Sequence, residues 1–189
     1  MATTSTMTEL GSRVPDFSLP DVTTGRLVRL EDLDGTGGLL VMFLCRHCPY
    51  VAHVREGVAR IANDYADADL SIVAIGSNDP EAYPEDAPES LAEEAREAGY
   101  SFPYLFDVTQ QVAKAFGAAC TPDFFLYDRE RRLVYRGQFD PSRPRNGLPV
   151  TGADLRAAID ALLAGKPVST EQRASVGCGI KWRPGNEPR

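Results

Sequence analysis

The sequence predicts an α/β protein: a mixed central β-sheet with helices on both faces. Three observations carry this. The run Leu39-Leu40-Val41-Met42-Phe43-Leu44 has no polar alternation, as expected of a strand covered on both sides. Behind it, Val51, Val54, Val58, Ile61 and Tyr65 recur at spacings of three and four, the apolar stripe of an amphipathic helix. Strand-like and helix-like segments then alternate before a late hairpin, which implies parallel strands with crossover helices and antiparallel strands added at the end.

The elements follow in order. Val14 to Leu19 and Leu27 to Leu30 read as short strands joined at Thr23-Thr24-Gly25, an N-terminal hairpin. Leu39 to Leu44 is the buried strand. Pro49 fits the first turn of the helix that follows, where its missing N–H loses no helical bond. Gly57 should cost that helix about 1 kcal/mol relative to alanine. Leu70 to Ile75 is the next strand, and the polar, proline-bearing stretch 78–88 reads as a surface loop. Glu89 to Ala98 is a helix closed by Gly99. Tyr104 to Phe106 is a strand, and Gln110 to Phe116 a short helix closed by Gly117. Asp123 to Tyr127 and Arg132 to Arg136 form the late hairpin, the second strand alternating as an edge should. Thr151-Gly152-Ala153-Asp154 resembles a capping box. It starts a helix that buries Leu155, Ile159, Leu162 and Leu163 and ends at Gly165. Residues 169–189 show no period.

The 189 residues suit one domain. The expected organisation is a disordered lead-in over 1–12, the domain over 13–168, and a tail over 169–189 that packs on it. The net charge of −7 disfavours nucleic acid and anionic membranes as partners. No apolar run approaches the roughly 20 residues of a membrane span, and the N-terminus lacks the pattern of a secretory signal, so a cytoplasmic location is expected. Four cysteines, Cys45, Cys48, Cys120 and Cys178, are too few for a disulfide scaffold. In a reducing compartment a close pair is redox-active or metal-binding more often than structural.

Cys45-Arg46-His47-Cys48 stands where the buried strand hands over to the helix. Sites in open α/β sheets form at the carboxyl ends of strands, and a helix N-terminus stabilises an anion. A thiolate there has a lowered pKa and is the reactive form. Arg46 and His47 add positive charge and are expected to tune the thiol pKa. Stabilising the reduced pair makes the oxidised pair a stronger oxidant, so a potential well above the roughly −270 mV of thioredoxin is expected. Cys48 falls in line with the buried stripe and Cys45 one turn earlier, so Cys45 is expected to face outward and attack, and Cys48 to resolve. Zinc would need four ligands, and the other candidates, His53, Cys120 and Cys178, are singly placed.

Thr121-Pro122-Asp123 enters a strand late in the chain. Together with the Cys-x-x-Cys, Ser77-Asn78-Asp79, Phe102-Pro103-Tyr104-Leu105, Cys120-Thr121-Pro122-Asp123-Phe124 and Gly177-Cys178-Gly179-Ile180-Lys181-Trp182, it resembles the thioredoxin superfamily. The resemblance is to the redoxin branch of peroxiredoxin-like and AhpC/TSA-type proteins, and more narrowly to uncharacterised bacterial thioredoxin family proteins. It implies a thioredoxin-like fold with the N-terminal hairpin as an extension and an insert before the cis-proline strand. Pro122 would be the cis-proline, and with Thr121 it would shape the substrate groove. Where thioredoxins carry a tryptophan before the first cysteine, this chain has Leu44, and their buried acid falls near Leu39. Peroxiredoxins place a Thr or Ser three residues before the reactive cysteine. Here that position is Met42 or Cys45, and no counterpart of their catalytic arginine stands out.

The expected function is therefore a thiol–disulfide oxidoreductase needing no cofactor and no metal. Its partners would be protein or small-molecule disulfides and thiols, with regeneration by a thioredoxin- or glutathione-type system. The alternatives are a thiol-dependent peroxidase of the same fold, and a non-catalytic binding module or zinc holder. Cys120 and Cys178 are the candidate auxiliary thiols. Three readings stand for them: both inert, the two paired with each other, or one resolving an oxidised Cys45.

Overall fold

The computed structural model describes residues 2–33 and 37–188. Its elements are β1 (Ala2–Thr4), β2 (Ser18–Pro20), β3 (Leu27–Arg29), β4 (Gly38–Phe43), α1 (Pro49–Asp64), β5 (Leu70–Gly76), α2 (Pro88–Ala98), β6 (Tyr104–Phe106), α3 (Gln111–Phe116), β7 (Cys120–Thr121), β8 (Asp123–Asp128), β9 (Leu133–Gly137), α4 (Ala153–Leu163) and β10 (Val176–Gly179). The central sheet has the order β6-β5-β4-β8-β9. β4 runs parallel to β5 and antiparallel to β8, so it is covered on both edges as well as both faces.

The pleat of β4 splits the core in two. Leu40 and Met42 join Val51, Val54, Val58 and Ile61 of α1 with Leu91 of α2 and Leu155 of α4. Leu39, Val41 and Phe43 join Phe116 of α3 with Leu19 of β2 and Phe17 just before it. Burying each of these large apolar side chains contributes roughly 1.5–3 kcal/mol, so the unalternating run is the centre of the fold. Gly57 is required by packing: a Cβ there would stand 2.8 Å from Phe139 Cε1.

Two expectations are corrected, for the lead-in and for the capping box. The lead-in over 1–12 is not disordered where described: β1 pairs antiparallel with β10, and Ser5 N donates to Ser175 O at 2.9 Å. The tail supplies β10, which lies between β1 and β7 in a second, three-stranded sheet. No period announced it, because a four-residue strand is too short to show one. Met1 and Arg189, at the ends of those expected segments, lie outside the described residues. The capping box is also absent. Gly152 is the N-cap, in the left-handed conformation at φ 68°. Asp154 Oδ2 instead accepts from Gln138 Nε2 at 2.6 Å, while Asp140 Oδ2 takes the N–H groups of Thr151 and Gly152 at 2.7 Å each.

Candidate active site: a dithiol between a helix and a cis-proline turn

β4 ends at Phe43 and α1 begins at Pro49, so Cys45 to Cys48 form the link at the carboxyl end of the central strand. Cys48 is the N-cap of α1, with Pro49 in the first turn. The Thr121–Pro122 peptide is cis, and Thr121 meets both sulfurs. Cys45 Sγ lies 3.0 Å from Thr121 Oγ1, and Cys48 Sγ donates to Thr121 O at 3.2 Å.

Both cysteines are enclosed. Cys45 is 1% exposed and Cys48 is 0%, so Cys45 does not face outward as the periodicity suggested. The segment between β5 and α2 closes over it, with Tyr83 stacked on His47 at 5.3 Å. That segment is not a plain surface loop. Ser77, Asn78, Asp79 and Asp86 are all buried; Asp86 satisfies backbone groups of the Cys-x-x-Cys link, while Asn78 and Asp79 bond the tail backbone at Lys181. Asp86 Oδ1 accepts from Arg46 N at 2.8 Å and His47 N at 3.2 Å. Asp86 Oδ2 meets His47 Nδ1 and accepts from Asn78 Nδ2 at 2.7 Å. Asn78 Oδ1 in turn takes Lys181 N at 2.8 Å.

The two thiols shift each other in opposite directions. The hydrogen bond from Cys45 is the main influence holding Cys48 down to about 5, against burial and with help from Cys178 and from the backbone N–H of Val51 in the first turn of α1. The same bond, then burial and the charge of Asp86, push Cys45 well up, while the Thr121 hydroxyl pulls it down. The carbonyl of Thr121 favours the protonated Cys48 of the dithiol. The converging donors favour its thiolate.

The inserted cations sit differently from expectation. Arg46 Nη1 lies 2.5 Å from Glu93 and bonds Ser90 O at 2.9 Å, and its Nη2 lies 3.3 Å from Glu97. Its charge is thus matched on α2. The His47 ring meets the Asp86 carboxylate through Nδ1. The charge closest to Cys45 in effect is therefore the Asp86 carboxylate.

Cys45, His47 and Asp86 bring a ligand atom each to within 4.8 Å of one another. This three-donor set can hold a cation, and it differs from the candidates picked from sequence. His53 bonds Ser142 Oγ at 3.1 Å instead. Arg143 lines a small cleft with Pro122, Tyr50 and His53, its guanidinium on the carbonyls of Asp140 and Ser142 and on Gln138 Oε1. Arg136 points away, to Thr8 O and Gln172.

Cys120 is fully buried and packs 3.9 Å from Pro122 O. Burial first, then Asp123, push its thiol far up, which suits an inert role. In the β10–β7 register Cys178 stands opposite Thr121, and Cys120 opposite Gly179. Strand alternation therefore turns Cys120 and Cys178 to opposite faces.

Sequence reasoning missed Asp86 and Glu94. Glu94, on the inner face of α2, pairs with Arg55 at 2.9 Å. Its Oε2 and the hydroxyls of Tyr100 and Tyr104 are buried without hydrogen-bond partners. The usable signal for the loop was Ser77-Asn78-Asp79, polar residues directly at the carboxyl end of a buried strand.

A mixed sheet carrying a dithiol at a helix N-terminus, faced by a cis-proline turn, defines a thioredoxin-like protein. The chain is similar over 68% of its length, and 87% of the other, to the thioredoxin domain of a thiol-disulfide oxidoreductase from Bacteroides vulgatus (19% identity, TM-score 0.57), a likeness of fold alone. The AhpC/TSA family pattern matches residues 10–136, and the chain belongs to that family. It is 29% identical over 133 residues, 69% of this chain and 70% of the other, to the thiol-disulfide oxidoreductase ResA of Geobacillus thermodenitrificans. An uncharacterized conserved protein of Geobacillus kaustophilus is 54% identical with a TM-score of 0.96, covering 98% of each chain.

Proposed function

We propose that the protein is a thiol–disulfide oxidoreductase in which Cys45 and Cys48 cycle between dithiol and disulfide. The carrying observation is that both sulfurs converge on Thr121, beside cis-Pro122 and at the start of α1. Passing the proton from Cys45 to Cys48 makes Cys45 the attacking thiolate, with the Thr121 hydroxyl as donor. Cys45 Sγ bonds one sulfur of the substrate disulfide as the substrate S–S bond breaks, and the departing thiolate takes a proton. Cys48, its thiolate favoured by the helix N–H of Val51, then attacks Cys45 Sγ and expels the second substrate thiol. The protein is left as the disulfide, and an external dithiol of the thioredoxin or glutathione type reduces it again. In this reading Thr121 and Pro122 line the groove for the substrate, and the protein works in the cytoplasm.

A free-thiol count before and after mild oxidation, with peptide mapping, tests this. The expected result is loss of two thiols, mapped to Cys45 and Cys48, and turnover of a protein disulfide that Cys45→Ser and Cys48→Ser abolish. A retained dithiol with stoichiometric zinc would overturn it in favour of a metal-holding module. Peroxide consumption at the rate of disulfide turnover would favour the peroxidase. A peroxide oxygen needs donors at its developing charge, and among the described residues the Cys45 thiol has the Thr121 hydroxyl for this but no arginine as a hydrogen-bond partner.

A further inference from the structure

Cys178 is the half-buried member of a row of three thiols. It is carried by β10, whose antiparallel pairing sets it opposite Thr121, the residue that contacts both Cys45 and Cys48. It packs against the cluster that contains those two cysteines. The approach is close by construction. Gly177 passes so near the cis-proline turn that a Cβ there would lie 2.0 Å from Thr121 O. Cys48 Sγ meets the carbonyl of Thr121, the residue that Cys178 faces across the β10–β7 pair, and the Cys178 thiol and backbone N–H, like the Cys45 thiol, favour the Cys48 thiolate. Thr121 thus brings Cys45, Cys48 and Cys178 to one place, with Cys48 open to exchange with either of the others.

We propose that Cys178 is a third redox cysteine, which takes over the disulfide from Cys45 and presents it at the surface for reduction. The step rests on the dithiol reading above and begins from its Cys45–Cys48 disulfide. The Cys178 thiolate attacks Cys48 Sγ. The Cys48–Cys178 bond forms as the Cys45–Cys48 bond breaks, and Cys45 leaves as a thiolate facing the Thr121 hydroxyl. Cys45 ends with a proton equivalent to the one Cys178 gave up. One disulfide and one thiol are present before and after, so no oxidant or reductant is consumed.

The exchange solves an access problem. Cys45 and Cys48 are both sealed, whereas Cys178 keeps partial contact with solvent. A bulky dithiol reductant can reach Cys178 Sγ without opening the segment around Tyr83. In the reduced protein burial and the neighbouring Cys48 push Cys178 up to about 12, with Lys181 pulling the other way. Once Cys48 is tied in a disulfide its thiolate is gone, and that opposition with it. Substrate would then react at Cys45 and reductant at Cys178, with Cys48 passing the disulfide between them.

The test is disulfide mapping of the full-length chain after mild oxidation and acid trapping. In Cys45→Ser the expected product is an intramolecular Cys48–Cys178 disulfide, absent when Cys178→Ser is added. In the oxidised wild type, Cys48 should resist alkylation while Cys45 and Cys178 share the label. This second measurement needs no substitution and is independent of any folding defect. If Cys45→Ser leaves Cys48 and Cys178 both free, and oxidised wild type labels Cys178 fully and Cys45 not at all, the relay is wrong and the dithiol reading stands. If oxidised wild type contains no Cys45–Cys48 disulfide and shows no label shared between Cys45 and Cys178, both fall.

Discussion

Asp86 Oδ1 accepts the backbone N–H of His47 at 3.2 Å, while Oδ2 of the same carboxylate meets the His47 ring at Nδ1. One buried acid, 39 residues away in sequence, thus fixes both the backbone and the side chain of the Cys-x-x-Cys link. Asp86→Ala would leave the N–H groups of Arg46 and His47 and the amide of Asn78 without their acceptor. A loss of about 2–4 kcal/mol in unfolding free energy is expected in denaturant titration. Because the Asp86 charge pushes Cys45 up, the alkylation profile of Cys45 should move to lower pH in the same variant.

Cys45→Ala removes the largest influence holding the Cys48 thiolate down at about 5. Burial then dominates, so the ultraviolet thiolate titration of Cys48 should shift to higher pH. An unchanged midpoint would mean that the helix N-terminus alone sets it.

A stabilised thiolate in the reduced form makes the disulfide easier to reduce. The Cys45–Cys48 couple should have a potential above the roughly −270 mV of thioredoxin. The sequence suggested this through Arg46 and His47. The Arg46 charge is matched by Glu93 and Glu97 and the His47 ring is held by Asp86, so the cause shifts to the donors around Cys48. Arg46→Ala should accordingly leave the potential, read by glutathione-buffer titration, close to wild type.

Burial pushes the Glu94 carboxyl up to about 7 from an ordinary 4.5, although Arg55 pulls it down. Between those values the folded protein holds a proton that the unfolded chain releases. The contribution to stability is full below the unfolded pKa and is lost as pH rises through about 7. It amounts to roughly 3 kcal/mol at most. Glu94→Gln should flatten this part of the stability–pH curve, leaving the part due to Asp123, which burial lifts to about 8.

Gly177→Ala would drive a Cβ into Thr121 O, so β10 must move off β7. A cost of about 1–3 kcal/mol is expected, together with faster alkylation of Cys178 in the native protein.

The sequence by itself determined the central layers and the place of the dithiol. An unbroken apolar run, a period of three and four, and a Cys-x-x-Cys between them are local patterns, and local patterns survive without knowledge of the fold. Pro122 was legible through resemblance, since its distance in sequence from Cys45 says nothing about their contact. Only the tertiary structure decided which groups surround the sulfurs. The burial of Cys45, the anchoring by Asp86, the diversion of Arg46 to α2 and the arrival of Cys178 opposite Thr121 all depend on segments far apart in the chain. A cysteine in a four-residue strand carries no periodicity, and a carboxylate reveals its role only through the backbone N–H groups it meets. Those meetings are fixed by sheet register and by the packing of a loop, which no spacing in the sequence encodes.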